Sequence, residues 1–315
     1  MIPTKSKSKH HHRSSVAAAS SPPNHRSSTS TTAQNDDVIQ EEWRAAAISG
    51  GTLKRVDPES GTNGWASPSG DLFLLRGPNF FATKSKTPSG QYLLQPCGVD
   101  WLRSTSKLDH YLSHPQNRIV NALKKSKSKP FIIAINLQIP GKDHHSAIFY
   151  FSSPESDPVQ PGSLLHRFIQ SDDNFRNSRL KLVNRIVKGP WIVKTAVGSH
   201  SACLLGKALN CRYHKMQNYL EIDVDIGSSK VASAILHLAL GYTSSVTIDM
   251  GFVVEAQSEE ELPEKLFGAV RVCQMEMGAA SFVQTPSVKK VSISSNGKLG
   301  GEAGNSQNGD SLKSN

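Results

Sequence analysis

Apolar residues recur along residues 131–277 with two different periods, and these periods set the first structural expectations. Phe131 to Ile139 is an almost continuous apolar run closed by Pro140-Gly141, and Ala147 to Phe151 is a second. The polar turn between them, with Lys142, Asp143, His144 and His145, predicts an antiparallel pair. Tyr219 to Ile226 alternates strictly: Leu220, Ile222, Val224 and Ile226 share one side of a strand, and Glu221, Asp223 and Asp225 share the other. Ser163 is an N-cap for a helix over Leu164 to Gln170, closed by capping and turn residues at Ser171-Asp172-Asp173. Gly227-Ser228-Ser229 starts a second helix, Lys230 to Leu240, whose apolar positions nearly encircle it and predict burial.

Leu262, Leu266, Val270, Cys273 and Met277 fall on one helical stripe behind Pro263, which predicts a closing amphipathic helix. Between the two halves, residues 180–187, 191–197 and 201–213 read as strands punctuated by Gly189-Pro190 and Gly198, and Ser245 to Glu255 as another. Nearer the start, Val38 to Ile48 reads as a helix stopped by Gly50-Gly51, and Leu72 to Leu75 and Gln91 to Leu94 as strands. Leu108 to Leu112 and Ile119 to Leu123 read as helical pieces. The fold class expected is α+β: a mostly antiparallel sheet with interposed helices and a closing C-terminal amphipathic helix.

Composition divides this picture into three. Residues 1–50 are rich in Ser, Thr, His and Ala and form a disordered tail with one short helix; residues 278–315, rich in Ser, Gly, Asn and Lys, form another. The folded domain is placed at 51–277, large enough for a substantial core. The acid-free start, with Arg13 and Arg26, fits an organellar transit peptide only loosely, and Lys5 to Arg13 reads as a solvated basic tract. Four widely spaced cysteines follow no disulfide pattern, so a reducing, cytoplasmic setting is expected. No apolar run approaches the ~18 residues of a membrane span, so any membrane association is expected to be peripheral.

Charge concentrates attention on Asn174 to Lys215. The chain's net charge of +10 falls mostly within 51–277, and this stretch carries nine cations with no Asp or Glu. Arg176, Arg179, Lys181, Arg185 and Lys188 are the candidate anion-binding residues, expected to stay unpaired while other cations pair with Glu221, Asp223 and Asp225. An anionic phospholipid surface or lipid ligand suits them, at ~1 kcal/mol per cation near an anionic leaflet. An acidic protein partner is the alternative. Nucleic acid is disfavoured because only Phe175, Trp191 and Tyr213 interleave the cations.

Reactive constellations do not form. Gly206-Lys207 lacks the upstream Gly and the downstream Ser or Thr of a phosphate loop. His200, Cys203, Cys211 and His214 have a zinc-like order on too short a loop, and Asp223 with Asp225 suits an ion-paired strand face as well as a divalent cation. Cys203 has no orienting third group. No catalytic residue, metal or cofactor is therefore assigned, and the chain is expected not to be an enzyme.

Several longer motifs carry a resemblance. Arg76-Gly77-Pro78-Asn79-Phe80, Val99-Asp100-Trp101, Pro130-Phe131 through Asn136-Leu137-Gln138-Ile139-Pro140, the run from Asp173 to Arg179, Gly189-Pro190-Trp191-Ile192-Val193-Lys194, the run from Ala202 to Leu209 and that from Asn218 to Ser229 stand in one order. Over Gly61 to Met277 the chain resembles the C-terminal domain of the plant enhanced disease resistance 2 family. Long members of that family carry a phosphoinositide-binding pleckstrin-homology domain and a START lipid-transfer domain ahead of it and restrain defence-related cell death. The resemblance thus implies a link to lipids and plant defence, while about 50 preceding residues are too few for either added domain. It transfers no catalytic residue. One further expectation is an apolar, lipid-sized cavity between a curved sheet and the closing helix.

Overall fold

The computed structural model describes residues 42–126, 129–154 and 159–284. The two tails expected from composition therefore lie mainly outside the described residues. The strands are β1 (Lys54–Arg55), β2 (Gly64–Ala66), β3 (Leu74–Arg76), β4 (Lys86–Pro88), β5 (Gln95–Ser104), β6 (Ile132–Ile139) and β7 (His144–Ser152). They continue with β8 (Leu180–Lys188), β9 (His200–Leu204), β10 (Asn210–Lys215), β11 (Tyr219–Asp225), β12 (Thr247–Val254), β13 (Leu266–Cys273) and β14 (Ser281–Phe282). The helices are α1 (42–49), α2 (Phe80–Thr83), α3 (Arg118–Lys125), α4 (Leu164–Gln170), α5 (Asp173–Arg179), α6 (Trp191–Val197), α7 (Leu205–Ala208) and α8 (Lys230–Leu240).

Twelve of the strands form two six-stranded sheets, ordered β10-β11-β6-β7-β5-β14 and β1-β2-β13-β12-β8-β9; β3 and β4 pair as a hairpin. Most pairings are antiparallel, with β6–β11, β1–β2 and β5–β14 parallel, so the class is the expected α+β. The predicted β6–β7 pair forms in register, with Ile135 opposite Phe149. The two sheets pack face to face. Phe149 and Phe151 of β7 meet Phe252 of β12 at ring-centre distances of 6.0 and 5.8 Å, and Phe151 meets Phe267 of β13 edge-on at 6.2 Å. On the outer face of the first sheet, Trp43 and Ala47 of α1 and Ile119 of α3 pack over Cys97, Ile148 and Tyr150. The helix that composition placed in the leading tail thus belongs to this packed body.

Local chemistry explains the helices that form as expected. The Ser163 hydroxyl accepts from the His166 amide, and the Ser229 hydroxyl accepts from Ala232, so α4 and α8 begin at the predicted caps. Asp172, in the Ser171-Asp172-Asp173 run of capping and turn residues, caps α5 by accepting from the Phe175 amide at 2.8 Å.

Several segments change type. Residues 205–208, expected within a strand over 201–213, form α7, and Gln91 to Leu94, expected as a strand, lie outside any strand just ahead of β5. Residues 191–197 are helical because Val193 and Val197, one turn apart, both face the inter-sheet space, and Gly198, at φ 87°, ends the helix in a backbone conformation that favours glycine. The expected closing helix is instead strand β13. Its stripe of Leu262, Leu266 and Val270 is spaced by fours, which satisfies a period of two equally well. β13 lies between β2 and β12 and is buried on both faces, so the continuous apolar content of Phe267, Ala269, Val270 and Val272 marks a central strand.

Candidate functional site

Between the sheets the packing leaves a cavity of about 150 Å³. Val99 and Trp101 of β5, Leu137 and Ile139 of β6, and Ala147 and Phe149 of β7 line one wall. Ile186 of β8, Ile248 and Met250 of β12 and Val272 of β13 line the opposite wall. The side between them is covered by Val193 and Val197 of α6 and by Leu236, Ala239 and Leu240 of α8. Of the lining residues only Asp100 and Thr243 are polar. The Asp100 carboxylate is engaged by the Arg118 Nε at 2.8 Å and the Tyr150 hydroxyl at 3.0 Å. The cavity therefore presents apolar surface without a free charge, the kind of space that stays dry and accepts apolar molecules.

Leu137, Ile248 and Val272 sit on strands with neighbours on both sides and still keep accessible surface, because they face this space rather than packed atoms. The apolar space differs from the expected one in place and in size: it lies between two sheets under α6 and α8, because the expected closing helix is strand β13, and at about 150 Å³ it is smaller than a whole lipid. The lid α8 departs from expectation. It is apolar nearly all round, yet none of its residues is buried; Ala232, Leu236 and Leu240 touch the core while Val231 is 71% exposed.

The five cations predicted to bind anions are placed differently from that expectation. Arg176 is buried, its guanidinium donating to the Phe168 and Ile169 carbonyls and to Asp173. Arg179 is buried against Glu261 at 2.6 Å and stacks over the Phe175 ring at 4.4 Å. The Lys181 ammonium sits 2.5 Å from Glu264 and 3.3 Å from Glu255. Arg185 lies directly across the ladder from Asp249 and pairs with it at 2.7 Å, in a buried cluster completed by Arg271. Lys188 is the exposed member, donating to the Glu59 carbonyl.

The expectation that these cations stay unpaired is thus corrected for Arg176, Arg179, Lys181 and Arg185, each of which meets a carboxylate. Arg176 pairs with Asp173 in its own helix, and the partners of Arg179, Lys181 and Arg185, namely Asp249, Glu255, Glu261 and Glu264, lie in and after β12, which pairs with β8 along its length. Sequence proximity points instead to the acids of β11, which stand in the other sheet.

Those acids face away from the cavity, as the alternation predicts; Glu221 and Asp223 are buried and Asp225 is half-buried. Glu221 accepts from the Tyr111 and Leu112 amides, each at 2.6 Å. Asp223 accepts from the His110 amide at 2.9 Å, Asn136 at 2.8 Å and His214 Nε2 at 2.8 Å. His110 and His214 stack with ring centres 4.3 Å apart. Burial, reinforced by the Asp223 charge, pushes the Glu221 pKa up to about 8. Burial, then the neighbouring His214, lowers that of His110. Both carboxylates are spent on holding residues 110–112 against the sheet. Asp225 pairs with Lys107 instead.

Other candidate chemistry separates in space. His200 and Cys203 are on β9, Cys211 and His214 on β10, in different sheets, and no group of three or more potential ligands gathers among the described residues. Burial raises the Cys203 thiol above its ordinary value and pushes Cys211 up to about 12, so both are protonated at neutral pH. Gly206 is required by packing: an added Cβ would lie 2.4 Å from the Asn177 Cα.

The chain matches the family model described as Protein ENHANCED DISEASE RESISTANCE 2, C-terminal, over residues 65–276, which includes nearly all of both sheets. It is similar to Protein ENHANCED DISEASE RESISTANCE 2-like of Arabidopsis thaliana, with 44% identity over 230 residues, 73% of this chain. The aligned region is 31% of that relative, so the chain spans about a third of its length. No solved structure gives a significant match. No helix among the described residues is long and apolar enough to cross a membrane.

Proposed function

The chain belongs to the ENHANCED DISEASE RESISTANCE 2 C-terminal family, and on that premise we propose that it is a non-enzymatic module that holds an apolar ligand, a lipid chain, between its two sheets. The observation that carries this is the cavity itself. A stable core closes its voids, since a side chain that faces a gap forfeits its dispersion attraction on that side; here apolar walls from both sheets and two helices surround unfilled space.

About 150 Å³ is the size of an engineered apolar cavity that holds benzene, so the space accepts the end of an apolar chain while the rest of the lipid and its polar headgroup remain outside. The name of the relative concerns disease resistance, and a role in plant defence is part of this proposal. Anionic lipid remains the proposed partner class, with its charge met at the surface instead of by the buried Arg176, Arg179 and Lys181.

The test is displacement of a fluorescent fatty acid from the purified chain, compared with Ala147→Phe and Ala239→Phe, which fill the cavity from a sheet wall and from the helical side. Saturable binding that both variants weaken at least tenfold supports the proposal. Binding unchanged in both, or absent from the unmodified chain, refutes it.

A further inference from the structure

We infer that the outer face of α6 and α8 docks on an anionic lipid bilayer, placing the helical wall of the cavity against the membrane. This takes the cavity reading as its starting point, because the face in question is the outer side of that wall.

The exposed apolar side chains point to this face. Trp191, at the start of α6, is 76% exposed and Val231, at the start of α8, is 71% exposed; Tyr242, just after α8, is also exposed. The two helices touch each other. On α8 the inward stripe uses Ala232, Leu236 and Leu240, yet apart from Lys230, Ser233 and His237 the rest of the helix is apolar too: Val231, Ala234, Ile235 and Leu238 remain outside the core packing. A surface helix ordinarily carries charge on its outer side, and contiguous exposed apolar surface marks an interaction site.

The charges say what the partner is. Residues 186–199 and 226–248 contain Lys188, Lys194 and Lys230 and no Asp or Glu. Lys230 occupies the first position of α8, where the helix macrodipole disfavours a cation, so it does not serve the helix. Tryptophan and tyrosine with flanking lysines on an apolar surface are the composition that settles at the interface of an anionic leaflet. Four acids in and after β12, Asp249, Glu255, Glu261 and Glu264, are taken up by arginines and Lys181.

The chain carries its own reporter. Of its four tryptophans, Trp43, Trp65 and Trp101 are buried and Trp191 alone is exposed. Vesicles of phosphatidylcholine containing phosphatidylserine should therefore shift the emission of the full chain to the blue, and Trp191→Phe should abolish the shift. Lys230→Glu, which suits the helix start and so preserves folding, reverses one charge and should weaken partition on these vesicles roughly 25-fold, about fivefold for each unit of charge. Val231→Asp should also release the protein. Vesicles of phosphatidylcholine alone should bind far more weakly.

No blue shift on phosphatidylserine vesicles, or flotation unchanged in the Lys230→Glu, Val231→Asp double variant, overturns the inference. Light scattering that shows a dimer dissolved by Val231→Asp also overturns it, by assigning the face to a second copy of the chain. A protein that retains its apolar ligand and ignores vesicles refutes the docking face alone. One that docks without ever holding a ligand refutes the cavity reading alone.

Discussion

Replacing Lys181 by methionine separates a cation that builds the fold from one that waits for a ligand. The side chain is 8% exposed, and its ammonium lies 2.5 Å from Glu264 and 3.3 Å from Glu255. Glu264, 1% exposed, also accepts from the Arg76 and Ala256 amides, with the Arg76 guanidinium 3.7 Å away. Removing one partner of a buried ion pair costs about 3–5 kcal/mol because the other charge is left uncompensated. The partners that Glu264 keeps place this case at the low end, about 3 kcal/mol. A surface lysine with no structural role would change stability by no more than about 0.5 kcal/mol. Urea unfolding distinguishes them: with a slope of about 3 kcal/mol/M for a chain of this size, the midpoint should fall by about 1 M. The Lys181→Met, Glu264→Gln pair should be less destabilising than the two single changes added together. A loss below about 1 kcal/mol, or strict additivity, would refute the assignment of Lys181 to the buried network.

Glu221 makes stability depend on pH in a defined direction. Its pKa is raised from 4.5 to about 8 in the folded chain, so between those values the folded state binds the extra proton, and stability falls as pH rises through that window. Urea midpoints at pH 5 and pH 8 should therefore converge in Glu221→Gln relative to the unmodified chain; an unchanged difference would argue against it. Ser229→Ala removes the cap of α8 and should cost about 1 kcal/mol, with faster release of a bound fluorescent fatty acid in stopped flow because the lid is loosened. Gly206→Ala drives a methyl group into the Asn177 backbone and should destabilise by more than about 2 kcal/mol, read from the thermal midpoint; a neutral result would reject the packing role of this glycine.

The parts of the fold legible in the sequence are those whose determinants are local. The β6–β7 pair, α4 behind Ser163, α8 behind Ser229 and the two-sided alternation of β11 all follow from caps, turns and period. What escapes a sequence reading depends on tertiary neighbours. β13 passes for a helix because a stripe spaced by fours fits a strand too, and only its place between β2 and β12 decides. The destination of Arg179, Lys181 and Arg185 is hidden because their carboxylates lie 64 to 83 residues further along, on or beyond a strand whose pairing no local signal announces. The cavity has one local sign, the nearly all-round apolar character of α8. In a sequence that character marks burial. In the fold it reflects an inner side facing a void and an outer side left bare.

The most direct test of the central claim is native mass spectrometry of the purified chain after exposure to a mixed lipid extract, beside Ala147→Phe and Ala239→Phe. The account predicts that the unmodified chain retains a stoichiometric apolar or single-chain lipid species, identified after release, and that both cavity-filling variants lose it while remaining folded. A chain that emerges free of lipid under all conditions, or variants that retain the same species in full, would contradict it.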